Sequence, residues 1–511
     1  MQASHTRPKT MILGALFVVL AMIAAACGED EPAATTAAAP ATTAAPATTQ
    51  AMEETPTTEA APATTGAAME ETPTTEAAPA TTEAAMEETT TTLAQLEPAT
   101  IQFWHVYSGP LEEAMNELVA RFEAKYPQID VEAQFTGGYY PTSQKIAGAI
   151  EANDLPNLTV AFEDGTVRWH RGGVLLDLTD YVNDPQIGVD VADFLPVEIA
   201  RNTYLTEGGR MLSFPWTVAI AVLFYNQDML SGLGFDGPAE TWDEFLSQCE
   251  VILTELNKSC YSIQVDASTW NATGFTYGGF PTIDMETRAT RYGEEPWTKA
   301  LDLFATLIEK GYGFPTVGRA DEAVANLSDF ASQQVAYIVT SSRWIPFVEE
   351  GVAGAFNWSV GALPQENPGS DPLTVLFGPN AVAFNTTEAE NRATWEFVKF
   401  LSSPESQAYW AATSGNLPSR LSVGDSAEYA AFLDGSPPMA AAWEILPYAL
   451  SELPMTEQGN LGPPPFSFRV LQQDVQAELL TGNMTREEAQ RKLVEDGATL
   501  LGEYYANLLD S

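Results

Sequence analysis

The sequence predicts an α/β fold with parallel sheets, because strand-like apolar runs alternate with amphipathic helix patterns from residue 99 onward. The run TIQFWHV precedes a segment whose apolar residues recur at helical spacing and which ends before Pro127. The runs IDVEAQF, NLTVAF and VAIAVLFYN are further strand candidates. Three pairs with threonine three residues before glutamate predict later helix starts: Thr241 with Glu244, Thr387 with Glu390, and Thr485 with Glu488.

Polar residues follow two of these predicted strands. In open α/β sheets, ligands bind beyond the carboxyl ends of the strands. His105 ends the first strand, and Glu163 and Asp164 follow a later one. A single histidine at a strand end is more often a hydrogen-bonded packing residue than a catalyst, so His105 is predicted to be structural or to line a cleft.

The composition limits the classes of partner. The chain has 511 residues, of which 45% are hydrophobic, enough for a large core in two or more lobes. With 69 acidic and 23 basic residues, the formal net charge is -46. Nucleic acid is therefore not an expected partner, because phosphate backbones need a basic face.

The N-terminus has the pattern of a secretory signal. Residues 1–27 contain Arg7 and Lys9, then a short apolar run and three alanines before Cys27. That ending resembles a bacterial lipobox, which implies cleavage before Cys27 and acylation of its thiol. The alternative is an ordinary signal peptide followed by a cysteine without such a role.

The segment 28–98 is predicted to be a disordered tether. AMEETPTTEAAPATT begins at 51 and again at 68, a third copy begins at 85, and the segment has no aromatic residue. Such a composition buries too little apolar area to offset chain entropy. As a flexible coil it would reach about 45 Å, which would hold a soluble body just off the membrane.

The remaining cysteines, Cys249 and Cys260, lie beyond the export signal, where disulfides persist. A helix, an Asn-Lys turn and a strand would bring them together. Two buried free thiols are the alternative, since spacing alone does not establish a disulfide.

The sequence contains few motifs that are typical of enzymes. Its three histidines lack metal-ligand spacing, and it contains no HExxH, CxxC, GxSxG or GxxxxGK[ST] pattern. No cofactor or metal is predicted, and the chain is not expected to be an enzyme. A surface glycoside hydrolase using Glu163 and Asp164, or a structural surface lipoprotein, remains as a remote alternative.

Several tryptophans lie in polar loops rather than on periodic faces. Trp216, Trp270 and Trp344 are flanked by serine, threonine or asparagine nearby, a setting that suits sugars and polyols with apolar faces and many hydroxyls. Trp104, Trp395 and Trp410 are predicted to be core residues.

Residues 99–511 resemble the extracellular solute-binding proteins, family 1, of bacterial ABC importers, the class that includes maltose-binding protein. The similarity rests on five segments in order: FWH with ELVARFEAKYPQIDVE, FPWTVAIAVLFYNQDML, PAETWDEF, FASQQVAYIVTSSRW, and FLSSPESQAYWAATSGNLPSR. It implies an extracytoplasmic, monomeric binding protein that is anchored to the cell membrane through Cys27 and delivers a small solute to the transmembrane subunits of a permease.

The resemblance also implies the architecture. It predicts the type II, maltose-binding-protein-like periplasmic-binding-protein fold, with discontinuous lobes joined by hinges near 217, 340 and 380. Lobe 1 is then 99–217 with 341–379, and lobe 2 is 218–340 with 380–511.

Within this family, TVGRADEAVANLSDF resembles a block of the binding proteins for glycerol-3-phosphate and glycerophosphodiesters. Matching that subgroup residue by residue implies contacts to ligand hydroxyls and phosphate. With the loop residue Trp216, the candidate ligand-binding residues are Tyr139, Glu163, Trp270, Ser341, Ser342, Gly378, Asn416 and Arg469.

Three positions depart from the subgroup. Val218-Ala219 replaces a serine pair, Thr273 stands near the place of a second tryptophan, and Asn416 replaces a tyrosine. Lost hydroxyl donors weaken a phosphate site. A neutral sugar or oligosaccharide is therefore the alternative ligand.

Overall fold

The computed structural model describes residues 96–284, 287–318, 324–462 and 466–509. The predicted signal segment with Cys27 lies outside the described residues, and so does the predicted tether apart from residues 96–98.

The strands fall where apolar runs are bounded by turn residues, as the sequence indicates. Numbered along the chain, they are β1 (Ala99–His105), β2 (Ile129–Phe135), β3 (Leu158–Ala161), β4 (Thr203–Tyr204), β5 (Arg210–Met211), β6 (Thr217–Asn226), β7 (Tyr261–Ile263), β8 (Ile283–Asp284), β9 (Ala289–Thr290), β10 (Gly313–Pro315), β11 (Tyr337–Ser341), β12 (Trp358–Gly361), β13 (Thr374–Phe377), β14 (Asn380–Ala383), β15 (Leu417–Pro418), β16 (Ala449–Ser451), β17 (Met455–Thr456) and β18 (Gly459–Asn460).

Helices fill the intervals between these strands. They are α1 (Pro110–Lys125), α2 (Tyr139–Ala152), α3 (Glu163–Arg171), α4 (Thr179–Asn183), α5 (Pro196–Asn202), α6 (Gln227–Gly232), α7 (Trp242–Leu256), α8 (Ala267–Thr276), α9 (Glu295–Glu309), α10 (Ala325–Ala331), α11 (Ile345–Val352), α12 (Glu388–Leu401), α13 (Pro404–Ser414), α14 (Ala427–Gly435), α15 (Pro437–Ile445), α16 (Phe466–Leu480) and α17 (Arg486–Leu509). Short 3-10 turns lie at Val191–Asp193, Leu205–Glu207, Ser342–Trp344, Leu421–Asp425 and Leu446–Tyr448.

The predicted capping pairs form at the helix starts. Thr387 and Glu390 make both reciprocal bonds of a capping box, and Thr485 and Glu488 do the same. At α7 the Thr241 hydroxyl caps the helix, but the Glu244 carboxylate accepts the N–H of Glu240 instead.

Lobe 1 is built on a sheet of order β14–β3–β1–β2. β1 is parallel to β2 and β3, as expected, whereas β14 is antiparallel to β3. The apolar face of α1 packs on this sheet with α12. Phe122 of α1 lies 4.8 Å, centre to centre, from Phe397 of α12, which in turn contacts Phe103 of β1.

Lobe 2 is built on a sheet of order β10–β7–β11–β6–β13–β16, with β12 and β15 also paired to β6. β6 runs antiparallel to β11, β12, β13 and β15. The expected parallel pairing therefore occurs between β7 and its neighbours β10 and β11 and between β13 and β16, whereas every described pairing of β6 is antiparallel. A strand that enters from the other lobe is not tied to its neighbour by a helical crossover, so nothing forces it to run parallel.

The predicted assignment of two segments to lobes is reversed. β11, β12 and β13 all lie in the lobe 2 sheet, so residues 341–379 belong to lobe 2 and the chain does not cross near 340. β14 pairs with β3, and α12 packs in the lobe 1 core, so the chain returns to lobe 1 at 380. It crosses again near 416, since α13 contacts α1 whereas α15 contacts β12.

The crossing strands lie side by side at the N-terminal end of β6. Leu417 of β15 pairs with Val218, and Phe377 at the end of β13 pairs with Ala219. Gly378 directly follows β13 and lies against the start of β6, where a Cβ would be 2.2 Å from the carbonyl oxygen of Thr217. The hinge is therefore a close-packed group of strands that requires glycine at this position.

Cys249 and Cys260 form a disulfide in lobe 2. Cys249 lies in α7, Asn257 ends that helix in the left-handed conformation at φ 52°, and Cys260 precedes β7. The Cα atoms are 5.0 Å apart, and both residues are fully buried.

His105 is held among aromatic rings at the end of β1. Its ring stacks on Tyr107 at 5.9 Å and lies 5.4 Å from Phe103, and its Nδ1 accepts the Tyr107 N–H at 3.3 Å. Burial lowers the pKa of His105 from 6.5 to about 4. The residue is therefore a neutral packing group at neutral pH, consistent with the structural role expected for it.

Removing the disulfide should destabilise lobe 2. Replacing both Cys249 and Cys260 with alanine should lower the free energy of unfolding by about 3 kcal/mol, because the short loop regains entropy in the unfolded chain. Urea unfolding with and without reductant checks this. The reductant should destabilise the wild type and leave the double variant unchanged; equal stability of the oxidised wild type and the variant would contradict the prediction.

Acid should weaken the fold through His105. Between pH 6.5 and about 4 the unfolded chain binds a proton at this residue that the folded chain does not, so stability falls as pH falls. The full effect amounts to about 3 kcal/mol. Urea unfolding at several pH values should show a smaller loss in His105→Phe and His105→Asn than in wild type. Parallel stability curves would exclude His105 as the source.

Candidate functional site

The carboxyl ends of strands from both lobes border the candidate site. In lobe 1 these ends are followed by Tyr107, by Tyr139 and by Phe162-Glu163. In lobe 2 they are followed by Asp266, by Arg343 and by Glu452. Ligands of α/β sheets bind at such strand ends, so these residues of the two lobes are the candidates for one site.

An aromatic pair covers part of the lobe 1 wall. Tyr139 begins α2, and its ring lies 4.8 Å from that of Phe162, which precedes α3. Phe162 is 37% exposed, a large fraction for an aromatic residue beside a predicted site. Burial raises the pKa of Tyr139 to about 12, so its hydroxyl stays protonated and can donate.

Glu163 is fixed by two neighbours. Its Oε1 accepts from Arg201 at 2.5 Å and from the side-chain amide of Asn380 at 3.0 Å. Its Oε2 accepts no hydrogen bond from the described residues. Glu163 is thus held in one orientation, with one oxygen left for a ligand hydroxyl. The sequence did not indicate that Arg201 and Asn380 bind the other oxygen.

Arg201 is a residue beside the candidate site that the sequence analysis did not identify. It lies buried on α5 and forms ion pairs with both Glu163 and Glu198. Burial raises the pKa of Glu198, and the positive charge of Arg201 opposes that rise. Its Nη2 also donates to the Gly378 carbonyl at 3.0 Å. The three-residue spacing of Glu198 and Arg201 fits a helical ion pair, but nothing in the pattern showed that the pair turns inward.

Arg469 lies on the lobe 2 side and is already engaged. It donates to Glu452 at 2.5 Å and to the Ser268 hydroxyl at 2.9 Å, and Asp266 lies 3.8 Å away. Glu452 is the main cause of a raised Arg469 pKa, and Glu163 of lobe 1 contributes to it. Arg469 and Glu163 are therefore within electrostatic reach of each other across the lobes.

The other lobe 2 and hinge candidates have structural partners. The Ser341 hydroxyl oxygen accepts the N–H of Arg343, and the fully buried Ser342 accepts the N–H of Ile220. Asn416 donates to Ser414 within its own turn. Gly378 accepts a hydrogen bond from Arg201 through its carbonyl oxygen.

Trp216 and Trp270 do not present faces to a ligand, which corrects the sequence-based expectation. Trp216 is buried in the lobe 1 core against Trp410, with its N–H donated to Tyr107. Trp270 is 0% exposed and stacks on Phe304 in lobe 2. The polar neighbours of Trp270 do not indicate exposure, because every residue of helix α8 is buried. Trp344 remains half-buried at the strand end.

Metal-binding clusters and helices suited to cross a membrane are both absent from the described residues. No group of three or more His, Cys, Asp or Glu residues there could hold a metal ion. None of the described helices combines the length and the apolar character that a membrane span requires.

The chain is similar to known solute-binding proteins. The family of bacterial extracellular solute-binding proteins matches residues 117–433, more than half of the chain. The sn-glycerol-3-phosphate-binding periplasmic protein UgpB of Escherichia coli K12 is 24% identical over 421 residues, which cover 79% of this chain and 93% of that protein.

Solved structures show the same two-lobed fold. The sugar-binding protein MalE of Xanthomonas citri superposes with a TM-score of 0.69 at 20% identity, over 81% of this chain and 100% of MalE. UgpB of Mycobacterium tuberculosis, in complex with glycerophosphocholine, gives 0.65 at 19% identity, over 80% and 99% of the two chains. The protein accordingly belongs to the bacterial extracellular solute-binding protein family, whose members are the solute-capturing, non-enzymatic components of ABC importers.

Proposed function

We propose that this protein captures a phosphate-bearing polyol, glycerol-3-phosphate or a glycerophosphodiester, and delivers it to its permease. The observation that carries the proposal is a pair of complementary groups on the two lobes. Glu163 of lobe 1 keeps one carboxylate oxygen without a hydrogen bond from the described residues, and its charge acts on Arg469 of lobe 2, the lobe that also carries Arg343. A carboxylate accepts from hydroxyls and a guanidinium donates to phosphate. The similarity to two UgpB proteins supports the same class.

A neutral sugar is the second candidate, and a specific observation favours it. The positive charge of Arg469 is already balanced by Glu452 and Asp266. The exposed ring of Phe162 and the half-buried Trp344 provide apolar faces on which sugar rings can stack. Sugar-binding proteins are also among the similar structures.

The proposal includes a lipid anchor. Cys27 follows three small residues at the end of an apolar run, and the Ala/Thr/Pro/Glu segment to residue 98 would act as a flexible tether. Acylation there would keep a soluble, monomeric body at the outer face of the cell membrane, near the permease.

A ligand panel tests the solute class. Isothermal titration calorimetry of the protein with glycerol-3-phosphate, glycerophosphocholine and maltose should show binding of a phosphate compound. Small-angle scattering should show that the protein becomes more compact with that compound, because the ligand favours the closed state. Mass spectrometry should recover the ligand unaltered. Binding of maltose alone would replace the first candidate with the second, and a chemically changed ligand would overturn both.

Cys27→Ser should release the protein from membranes, since the acyl chain would have no attachment site. The measurement is the partition between membrane and soluble fractions after expression in a bacterial host. A version starting at residue 99 should bind the same ligand with the affinity of the full chain. Membrane attachment of Cys27→Ser equal to that of the wild type would exclude acylation at this cysteine.

A further inference from the structure

The two arginines of the lobe 2 wall differ in their pairing. Arg469 has Glu452, Asp266 and Ser268 as partners. The Arg343 guanidinium has no hydrogen bond or ion pair with any residue in the described part of the chain. Its central carbon lies 5.0 Å from the centre of the Trp344 ring. In a chain with three acidic residues for every basic one, an unpaired and half-buried arginine is unexpected.

The backbone of Arg343 is firmly positioned. The Ser341 hydroxyl caps its N–H at 3.3 Å at the exit of β11. A Cβ on Gly415 would lie 2.7 Å from the Arg343 carbonyl oxygen, so the end of α13 packs directly against it. Trp410, one turn earlier on that helix, contacts Tyr107 at 4.7 Å. The same short segment therefore touches both Arg343 of lobe 2 and Tyr107 of lobe 1.

Two lobe 1 hydroxyls share this neighbourhood. Burial raises the pKa of Tyr139 to about 12 and also raises the pKa of Tyr107, and the positive charge of Arg343 opposes both rises. Both phenols are protonated at neutral pH and can donate. Trp216 donates its N–H to the Tyr107 oxygen at 2.7 Å, which leaves the Tyr107 proton for another acceptor.

We propose that Arg343, rather than Arg469, receives the anionic group of the solute, with the hydroxyls of Tyr107 and Tyr139 donating to it. A planar guanidinium and two phenols supply the donors that a phosphate or carboxylate oxygen set needs. These donors would replace the hydroxyl groups of the serine pair and the tyrosine that the subgroup has at the positions of Val218-Ala219 and Asn416. Arg469, held by its acids, keeps the lobe 2 wall in place. This inference rests on the proposed phosphate-bearing solute.

Calorimetry on single variants tests the assignment, with glycerol-3-phosphate and glycerophosphocholine as probes. Arg343→Gln should weaken binding about 10- to 100-fold, the worth of a hydrogen bond to a charged group. Arg343→Lys should lose less affinity than Arg343→Gln, because the positive charge remains although the planar pair of guanidinium donors is gone. Tyr139→Phe should also lose less affinity than Arg343→Gln. The double variant Arg469→Gln/Glu452→Gln removes the second arginine without changing net charge and should show a smaller loss than Arg343→Gln.

Controls separate a binding defect from misfolding. Arg486→Gln makes the same charge change at an exposed ion pair with Asp302 and should bind as the wild type does. Thermal unfolding without ligand should place Arg343→Gln near the wild type.

The outcomes distinguish this inference from the function on which it rests. If the wild type binds neither phosphate compound, the proposed function and the inference both fail. If the wild type binds one and Arg343→Gln binds equally well, or the Arg469/Glu452 double variant loses more, the inference alone is overturned.

Discussion

A single buried side chain, Arg201, connects the site carboxylate to the hinge. It donates to Glu163 and to the Gly378 carbonyl, while Asn380, two residues further along the hinge, donates to the same Glu163 oxygen. Burying an arginine is costly unless it is paired, and losing one partner leaves an uncompensated charge. The lobe 1 wall and the hinge therefore share one polar network, and neither can be repositioned without disturbing the other.

The hinge itself limits how the lobes can move. β13 and β15 pair with β6 next to Gly378, where there is no room for a Cβ beside the Thr217 carbonyl. Paired strands resist shear but tolerate rotation at their ends, so relative motion of the lobes is expected to be a bend near these residues. Glu163 and Arg343 lie on opposite sides of this bend, which means that closure changes the distance between the two walls of the site.

The sequence predicted local features well and long-range arrangement poorly. The Thr387 cap, the Cys249–Cys260 disulfide and the strand-end position of Glu163 follow from short patterns that the chain satisfies by itself. The lobe assignment of 341–379 failed because strand partners far apart in sequence decide it. The prediction that Trp270 lines the site was wrong for a related reason. A tryptophan among serine and threonine residues gives no indication that its whole helix is buried.

The same distinction explains why a motif match is a weak guide to the charged residues of this site. Arg469 matches the subgroup pattern, yet in this chain Glu452 and Asp266 neutralise it, and those acids come from other elements. Arg343 is not among the ligand-binding residues that the resemblance implied, and the described residues leave its charge unbalanced. A net charge of -46 does not decide between an anionic and a neutral solute, because the local field depends on which cation lacks a partner. Ligand choice in this protein therefore depends on tertiary pairing rather than on residue identity alone.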